Sequence, residues 1–295
     1  MRSSGVVVLA LAFGCGSHND RAAGDAASIG GANDGSIASG DGGGSGGAAC
    51  KRGLAYSASS LADLQALSPG VSWFYNWALA PDPGVAATYD QAGFAYMPMI
   101  WGSASVGGAD AALTASEQYL LTFNEPDFFA QSNLTPQQAA ALWPQIEQIA
   151  SAHGLAIVSP ALNYCGGGCN ETSPFDWFDA FFAACTGCKV DALAVHWYAC
   201  TKDALTGYIT QMKQYGLPIW LTEFSCLDGS DTSLPTEQAY MTDALAYLES
   251  EPAVVRYSWF TGRFPQTPTI DLLGSDGELT ALGEQYVSAP ASCRP

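Results

Sequence analysis

Two apolar stretches, each ending in a single glutamate, constrain the fold of this chain more than any other feature. Residues 119–127 read YLLTFNEPD and residues 218–226 read PIWLTEFSC, so Glu125 and Glu223 each follow a β-rich hydrophobic run. A near-continuous apolar run of this kind is typical of a parallel strand buried on both faces. In a (β/α) barrel, the carboxyl ends of the strands form the mouth where catalytic groups are placed. We therefore expect two strands to deliver Glu125 and Glu223 to one mouth.

From Cys50 onward, β-type runs alternate with helical segments, which is the signature of repeated βα units. Eight strands are predicted at residues 52–57, 71–77, 95–101, 119–124, 155–160, 192–198, 218–222 and 254–260. Helices are predicted at residues 60–67, 84–93, 135–153, 173–185, 201–215 and 236–250, whereas residues 102–116 are only weakly helical. Residues 50–295 thus predict an α/β fold, a single (β/α)8 TIM-like barrel with one or more helices short or missing.

An open doubly wound sheet is the alternative architecture. It would need a glycine-rich phosphate loop after the first strand, and Ser57-Ala58-Ser59 does not provide one. The sequence therefore favours the barrel.

The N-terminus has the features of an export signal. Arg2 precedes an apolar run over residues 5–13 that ends in Gly14-Cys15 and is too short to anchor the chain across a bilayer. Gly14-Cys15 is similar to a bacterial lipobox, although Ala12 and Phe13 depart from its usual residues. We expect residues 1–15 to be a signal peptide, with lipidation of Cys15 and attachment to an outer membrane or cell surface, or else plain secretion. Residues 16–49, rich in Gly, Ala, Ser and Asp, predict a flexible linker.

The charge balance excludes one large class of partner. Ten basic residues against 28 acidic ones give a net charge of −18, which repels phosphate backbones and leaves no basic surface for nucleic acid. A neutral, polyhydroxylated substrate is compatible with such a surface. The three histidines make a histidine-built metal site improbable, and we expect no cofactor, no metal and a monomeric protein.

The cysteine pattern admits two interpretations. The pairs Cys165/Cys169 and Cys185/Cys188 have spacings that resemble a four-cysteine zinc site, but an exported protein favours disulfides. Cys200 and Cys226 follow adjacent predicted strands and are expected to pair. Cys50 with Cys293 would join the two ends of the domain, and the remaining four could pair locally.

The strand ends, read together, are KRGLAYS, FYNW, MPMIWG, FNEPD, SPA, AVHWY, WLTEF and WF. This combination resembles glycoside hydrolase family 128, the β-1,3-glucanases of clan A, over nearly all of residues 51–288. The resemblance implies retaining hydrolysis of a laminarin-like β-1,3-glucan. It also implies that Glu125, in Asn-Glu-Pro, is the acid/base and that Glu223, in Thr-Glu-Phe, is the nucleophile.

Seven further residues are candidates for substrate binding: Asn76, Trp77, Trp101, Asn124, His196, Tyr198 and Trp259. Asn124 is placed to bind the sugar 2-hydroxyl, and Tyr198 to donate to Glu223. His196 is either an active-site hydrogen-bonding residue or a satisfied core histidine. Tryptophan faces suit the apolar faces of glucose rings, and Trp259 is the preferred subsite floor, although any single tryptophan could equally be core.

Asp127 is expected to cap the loop after Glu125 rather than to act as a third catalytic carboxylate.

Three functions remain open. The leading hypothesis is an exported endo-β-1,3-glucanase that works by double displacement. The second is a non-catalytic glucan-binding protein, which would be expected to have a damaged acid pair. The third keeps the chemistry but changes the linkage, to β-1,4-glucan or mannan, or the mode of attack, to exo action.

Overall fold

The computed structural model describes residues 50–57, 59–114 and 116–291. The predicted signal peptide and linker lie outside these residues, and so does Cys293, the expected partner of Cys50. Within the described part of the chain, no helix combines the length and apolar character needed to cross a membrane.

Among the described residues, nine parallel strands form the centre of the fold. They are β1 (Arg52–Ala55), β2 (Trp73–Tyr75), β3 (Ala95–Tyr96), β4 (Met99–Ile100), β5 (Tyr119–Asn124), β6 (Ala156–Ala161), β7 (Leu193–Trp197), β8 (Ile219–Phe224) and β9 (Val254–Phe260). One sheet has the order β3-β2-β1-β9-β8-β7 and the other has the order β4-β5-β6. Isolated parallel bridges Val158–Ala192 and Leu162–Val195 connect the second sheet to β7.

The strand order is that of a (β/α)8 barrel in which β3 and β4 together replace one strand. The first strand pairs with the last, because Ala55 of β1 lies opposite Phe260 of β9. An open doubly wound sheet does not pair its strands in this way. The predicted strand at residues 95–101 is interrupted by Met97-Pro98, where proline cannot donate a ladder hydrogen bond.

In the described part of the chain, seven helices surround the strands: α1 (Leu61–Leu67), α2 (Ser103–Ala112), α3 (Pro136–His153), α4 (Pro174–Ala184), α5 (Lys202–Met212), α6 (Leu234–Ser250) and α7 (Ala281–Ser288). The predicted N-terminal and C-terminal ends of α3 are confirmed. Thr135 and Gln138 form a capping box at its start, and Gly154 has a φ of 69° at its end.

One helix prediction was wrong. Residues 84–93 contain only one 3₁₀ turn (Tyr89–Ala92), so the helix expected between β2 and β3 is missing. The weakly helical stretch at residues 102–116 forms the short helix α2, of ten residues. α7 was not predicted, and Arg52 anchors it by donating through Nη1 and Nη2 to the carbonyls of Tyr286, Ala289 and Pro290.

Aromatic side chains from non-adjacent strands meet in the interior of the barrel. The ring of Trp220 on β8 lies 5.3 Å from Trp73 on β2 and 4.8 Å from Tyr119 on β5. The guanidinium of Arg256 lies 5.4 Å from the Trp220 ring. A Cβ on Gly53 would lie 2.2 Å from the Trp73 indole, so only glycine fits there. The interior of the barrel is therefore filled by side chains, and the space for a ligand is at the carboxyl-terminal mouth.

Candidate active site

Glu125 follows the last residue of β5 in an unusual backbone conformation. Its φ is 39°, in the left-handed region that non-glycine residues seldom occupy. Its N–H donates to the carbonyl of Ala161 at 2.9 Å, and its own carbonyl accepts from Phe128 N at 3.0 Å. These hydrogen bonds hold the conformation and leave the carboxyl group buried at the mouth, with a residue exposure of 7%.

Glu223 is positioned by a register shift near the end of β8. Val195 pairs with Leu221 and the next residue, His196, pairs with Glu223, so Thr222 has no partner across β7. A bulge of this kind re-aims the following side chain. Trp220 and Glu223 are three residues apart and would otherwise point to opposite faces of a regular strand. With the bulge, both point into the barrel.

His196 on β7 lies between the two glutamates and is fully buried. Its Nδ1 hydrogen-bonds Oε1 of Glu125 at 3.0 Å. Its Nε2 lies 3.4 Å from Oε1 of Glu223, within ion-pair distance. One oxygen of each glutamate and one ring nitrogen all lie within 4.8 Å of one another. The structure thus brings together two carboxylates that are distant in sequence.

Three donors surround the carboxylate of Glu223. Oε1 accepts from Tyr75 OH at 3.0 Å and from Trp77 Nε1 at 2.8 Å, and Oε2 accepts from Tyr198 OH. Burial, together with the charge of Glu223, raises the pKa of Tyr75 and of Tyr198 well above that of a free tyrosine. Both phenols therefore keep their protons and act only as donors to Glu223.

The charges of the site are coupled. Burial, and secondarily the charge of Glu125, raises the pKa of Glu223, while His196, Tyr198 and Trp77 act in the opposite direction. Burial opposes a charge on His196, but the charges of Glu223 and Glu125 raise the pKa of the ring above its usual 6.5. A protonated His196 is the counter-ion that lets Glu223 ionise in a buried site.

Glu125, His196 and Glu223 also have the spacing of a three-ligand cation site. The chemistry of the surrounding groups does not suit a metal. Tyr75, Trp77 and Tyr198 already direct protons at both oxygens of Glu223, whereas a metal-ligating carboxylate presents its lone pairs to the ion. The cluster is arranged for proton transfer and for nucleophilic attack by a carboxylate.

Three other predicted residues lie at or near the mouth. Asn124 is 4% exposed, its Nδ2 donates to Gln131, and its Oδ1 has no partner among the described residues. Trp101 follows β4 and is partly exposed. Asn76 has its polar atoms engaged by the protein, because its Nδ2 donates to Ala80 O and to Asp82.

The Asn76 oxygen is engaged as well. It accepts from Ala78 N at 3.2 Å and from Tyr96 OH at 2.5 Å. An amide with all its donors and acceptors in use supports the loop that carries Trp77 rather than a sugar. The predicted role of Asn76 in substrate binding is corrected to a structural one.

Trp259 does not form a subsite floor, contrary to the prediction. It has no exposed surface, packs against Phe224 at 5.0 Å, and donates through Nε1 to Ile270 O at 2.8 Å. A ring without an exposed face cannot stack on a sugar, so Trp259 is a core residue.

The next residue, Phe260, lies beside the site instead, 5.9 Å from the ring of Trp77 and 5.8 Å from that of Tyr198. Successive residues of a strand point to opposite faces. This alternation shows that only one of Trp259 and Phe260 can face the site, but the sequence alone does not say which.

Tyr75 was also missed. It shares the alternation of Trp73 and Trp77 along β2, and that pattern would have placed it inside the barrel.

Asp127 does not cap the loop through its side chain. Its backbone carbonyl accepts from Asn170 N at 2.8 Å, and its carboxyl group is fully buried. Burial, reinforced by the charge of Glu125, raises the pKa of Asp127 well above its usual value.

The described part of the chain contains three disulfides. Cys200 pairs with Cys226 as predicted, and this bond connects the loops that follow β7 and β8. Cys165 pairs with Cys169, and Cys185 pairs with Cys188. The four cysteines with zinc-like spacing are thus paired locally.

Comparisons with known proteins agree with this geometry. The family model described as "Glycosyl hydrolase catalytic core" matches residues 53–286. The chain is 32% identical over 234 residues to alkali-sensitive linkage protein 1 of Schizosaccharomyces pombe. That match covers 75% of this chain but only 41% of the yeast protein.

Solved structures give a closer match in length. An endo-β-1,3-glucanase of glycoside hydrolase family 128, subgroup II, from Sorangium cellulosum is 47% identical with a TM-score of 0.78, over 82% of this chain and 99% of that one. The subgroup II enzyme from Pseudomonas viridiflava is 38% identical with a TM-score of 0.76, over 81% and 98%.

A subgroup I enzyme from Amycolatopsis mediterranei, crystallised with laminaritriose, is 30% identical with a TM-score of 0.68, over 81% of this chain and 99% of that one. Together with the family model and the two buried glutamates, these similarities show that the chain is a glycosyl hydrolase catalytic core and belongs to glycoside hydrolase family 128.

Proposed function

We propose that the protein is an exported, retaining endo-β-1,3-glucanase. The observation that carries this proposal is the pair of buried carboxylates, one oxygen of each lying within 4.8 Å of the other, with His196 between them. Retaining glycosidases hold their two carboxyl groups about 5–5.5 Å apart, whereas inverting enzymes need about 6.5–9.5 Å to admit a water molecule. The short separation supports double displacement.

In the first step, Glu223 acts as the nucleophile. Its carboxylate attacks the anomeric carbon, and the bond to the leaving oxygen breaks as Glu125 gives that oxygen a proton. Tyr75, Trp77 and Tyr198 hold the carboxylate of Glu223 in one orientation and favour its ionised form. A glycosyl ester on Glu223 is the product.

In the second step, Glu125 acts as the base. It takes a proton from water while the water oxygen attacks the same carbon, and Glu223 leaves as a carboxylate. The proton that Glu125 gives to the leaving oxygen is held, before the reaction, in the hydrogen bond between His196 Nδ1 and Glu125 Oε1. Transfer along this bond at the start of the first step leaves a neutral ring and a protonated Glu125, and the hydrogen bonds from Tyr75, Trp77 and Tyr198 then favour the ionised form of Glu223.

The substrate is proposed from the relatives. The two subgroup II enzymes at 47% and 38% identity are endo-β-1,3-glucanases, whereas a subgroup III enzyme from Blastomyces gilchristii at 31% is a curdlan-specific exo-β-1,3-glucanase. These identities favour endo action. Asn124, with a buried oxygen free to accept, is proposed to bind the sugar 2-hydroxyl.

Export is proposed from the three disulfides, which persist in oxidising compartments. Lipidation of Cys15 and the monomeric state remain predictions.

The test is hydrolysis of a linear β-1,3-glucan, with Glu223→Gln as the control. Oligosaccharides of mixed length, released first as the β-anomer, would support endo action with retention. Release of glucose alone would indicate exo action, and initial α-anomer would contradict double displacement. If the wild type binds the glucan without releasing products, the protein is a glucan-binding protein. Activity confined to β-1,4-glucan or mannan would show that the protein uses the same mechanism on a different linkage.

A further inference from the structure

Glu237 is a buried acid that takes no part in the two proposed catalytic steps. It lies in the first turn of α6 and has no exposed surface. Its Oε2 accepts from the backbone N–H of Cys226 at 3.2 Å, and its Oε1 is buried without a partner among the described residues. Burying a carboxyl group is costly, and one hydrogen bond does not offset that cost, so the position of this side chain needs an explanation.

The partner of Glu237 belongs to the loop that leaves β8, three residues after Glu223. On the side of β7, the carbonyl of Tyr198 accepts from the N–H groups of the two residues that follow Cys226, at 3.0 and 2.8 Å. The disulfide from Cys200 to Cys226 connects the same loop to the chain after β7. The loop is therefore held from β7 by backbone and covalent contacts.

Glu237 holds this loop from α6. That helix packs on β8, where the ring of Tyr240 lies 6.5 Å from that of Phe224, the residue after Glu223. Tyr198 connects the loop to the nucleophile, because its carbonyl binds the loop while its hydroxyl donates to Glu223. The position of the loop is thus coupled to the orientation of the Glu223 carboxylate.

We propose that Glu237 is a positioning residue for the nucleophile: by accepting from Cys226, it fixes the loop after β8 on α6 and keeps the carboxylate of Glu223 aligned with its donors. The proposal rests on the proposed function, in which Glu223 is the nucleophile. Glu237 acts through Cys226 rather than by contact with the reacting groups. Alignment matters because a small misplacement of an attacking group lowers the rate of its reaction by a large factor.

This contact is sensitive to pH. Burial raises the pKa of Glu237 to about 8, against the opposing effect of the Cys226 N–H. The acids of the loop between β8 and α6, Asp228 and Asp231, are exposed, and the titratable neighbour on α6 is Tyr240, whose pKa is raised by burial and by the charge of Glu237. No charged side chain in the described structure compensates an ionised Glu237. Ionisation therefore favours movement of the carboxylate into water and release of Cys226.

The experiment compares Glu237→Gln and Glu237→Ala with Glu147→Ala. Glutamine keeps an oxygen that can accept from Cys226 but does not ionise, whereas alanine removes the acceptor. Glu147, on α3, is the control, because its Oε1 also accepts from a backbone N–H, that of Lys189 at 2.5 Å. The values of kcat and KM on a linear β-1,3-glucan are measured over a pH range that spans the pKa of Glu237.

Below that pKa, we expect Glu237→Ala to lower kcat about tenfold with little change in KM, and the other two variants to match the wild type. The ratio of kcat for Glu237→Gln to wild-type kcat should rise about tenfold at one pH unit above the pKa, since the groups of the site titrate alike in both proteins. A ratio that does not change with pH, or a wild-type kcat in Glu237→Ala, overturns the proposal. So does a Glu237→Gln variant that is as impaired as Glu237→Ala.

Amide hydrogen exchange separates this proposal from the proposed function, because it needs no turnover. The protection factor of the Cys226 amide, measured by NMR, should fall in Glu237→Ala at every pH and in the wild type above the pKa of Glu237, but not in Glu237→Gln. A wild type that releases no product would refute the proposed function, and this pattern of protection would still show that Glu237 holds the loop. Equal protection in all three proteins refutes the positioning role, even in an active glucanase.

Discussion

The Nδ1 atom of His196 lies 3.0 Å from Oε1 of Glu125, and the opposite side of the same ring faces Glu223. One buried imidazole therefore interacts electrostatically with both carboxylates. His196 sits on β7, whose neighbour β8 carries Glu223, while Glu125 follows β5. This arrangement connects the proposed acid/base, Glu125, with the proposed nucleophile, Glu223.

The protonation of His196 should be visible by NMR. Burial opposes its charge, but Glu223 and Glu125 raise its pKa above the value of about 6.5 for an unfolded histidine. We expect the ring to titrate above that pH and its pKa to fall in Glu125→Gln, which removes one of the two charges. A ring that titrates at or below about 6.5, or that Glu125→Gln does not affect, would contradict this electrostatic picture.

The same shift has a consequence for stability. A raised folded pKa means that the folded protein binds the proton more tightly, so this stabilisation is fully present below about pH 6.5. It is lost as the pH rises through the folded pKa of His196. The raised pKa of Glu223 acts with the same sign. Urea unfolding at a series of pH values should show the wild-type free energy of unfolding declining above about pH 6.5, by at most about 1.4 kcal/mol per pH unit for each proton.

The fold and the proximity of Glu125 and Glu223 could be predicted because they depend on local patterns. The apolar runs that end in Glu125 and Glu223 identify their own strands, and parallel strands place their carboxyl ends on one side. Cys200 and Cys226 were paired by the same reasoning. These inferences need only the direction and order of the strands.

The errors came from features that depend on register. Trp259 and Phe260 are adjacent, and which one faces the site follows from the pleat of β9 in the assembled barrel. The missing helix before β3 reflects tertiary context that propensity does not contain. The bulge at Thr222 leaves no signal in WLTEF, because it is set by pairing with β7.

Tyr198→Phe should shift the pH dependence of activity. The hydroxyl of Tyr198 donates to Oε2 of Glu223 and favours the charged carboxylate, so its removal raises the pKa of Glu223. Because the nucleophile must be ionised, the acidic limb of kcat/KM moves to higher pH, by about one unit for a bond to a charged group. Tyr240→Phe is the control, since its buried hydroxyl has no partner in the described structure. A limb that shifts equally in both variants would argue against this role.

Glu125→Ala should be rescued in two ways. Without an acid, hydrolysis of the glucan should fall about 10²–10⁴-fold, whereas a nitrophenyl leaving group needs no protonation and should lose far less. Azide, which needs no base to attack the ester on Glu223, should restore the second step. Glu223→Gln, which removes the nucleophile, should gain from neither change. Equal loss on both substrates without azide rescue would remove Glu125 from the acid/base role.

The Cys200–Cys226 disulfide should matter more than the Cys185–Cys188 disulfide. It closes a loop with a sequence separation of 26 residues, against 3 for the other. On the loop-entropy model, its loss costs about 3.5 kcal/mol of unfolding free energy, against about 1.5 kcal/mol. Paired serine variants of each disulfide, unfolded in urea, provide the comparison. The Cys200/Cys226 variant should also lose activity, because the bond connects the loops after Tyr198 and Glu223, and equal effects of the two pairs would contradict this account.

Trp259→Ala and Phe260→Ala should have opposite phenotypes although the residues are neighbours. Trp259 is buried between Phe224 and Tyr286, so its truncation leaves a cavity and should cost about 3–5 kcal/mol of unfolding free energy. Glucan affinity should be retained at temperatures where the variant stays folded. Phe260 packs on Trp77 and Tyr198, two of the donors to Glu223, so its truncation should lower kcat more than KM changes. If Trp259→Ala instead weakened glucan binding with stability intact, the tryptophan would belong to a subsite, and the assignment of the two faces of β9 would have to be reversed.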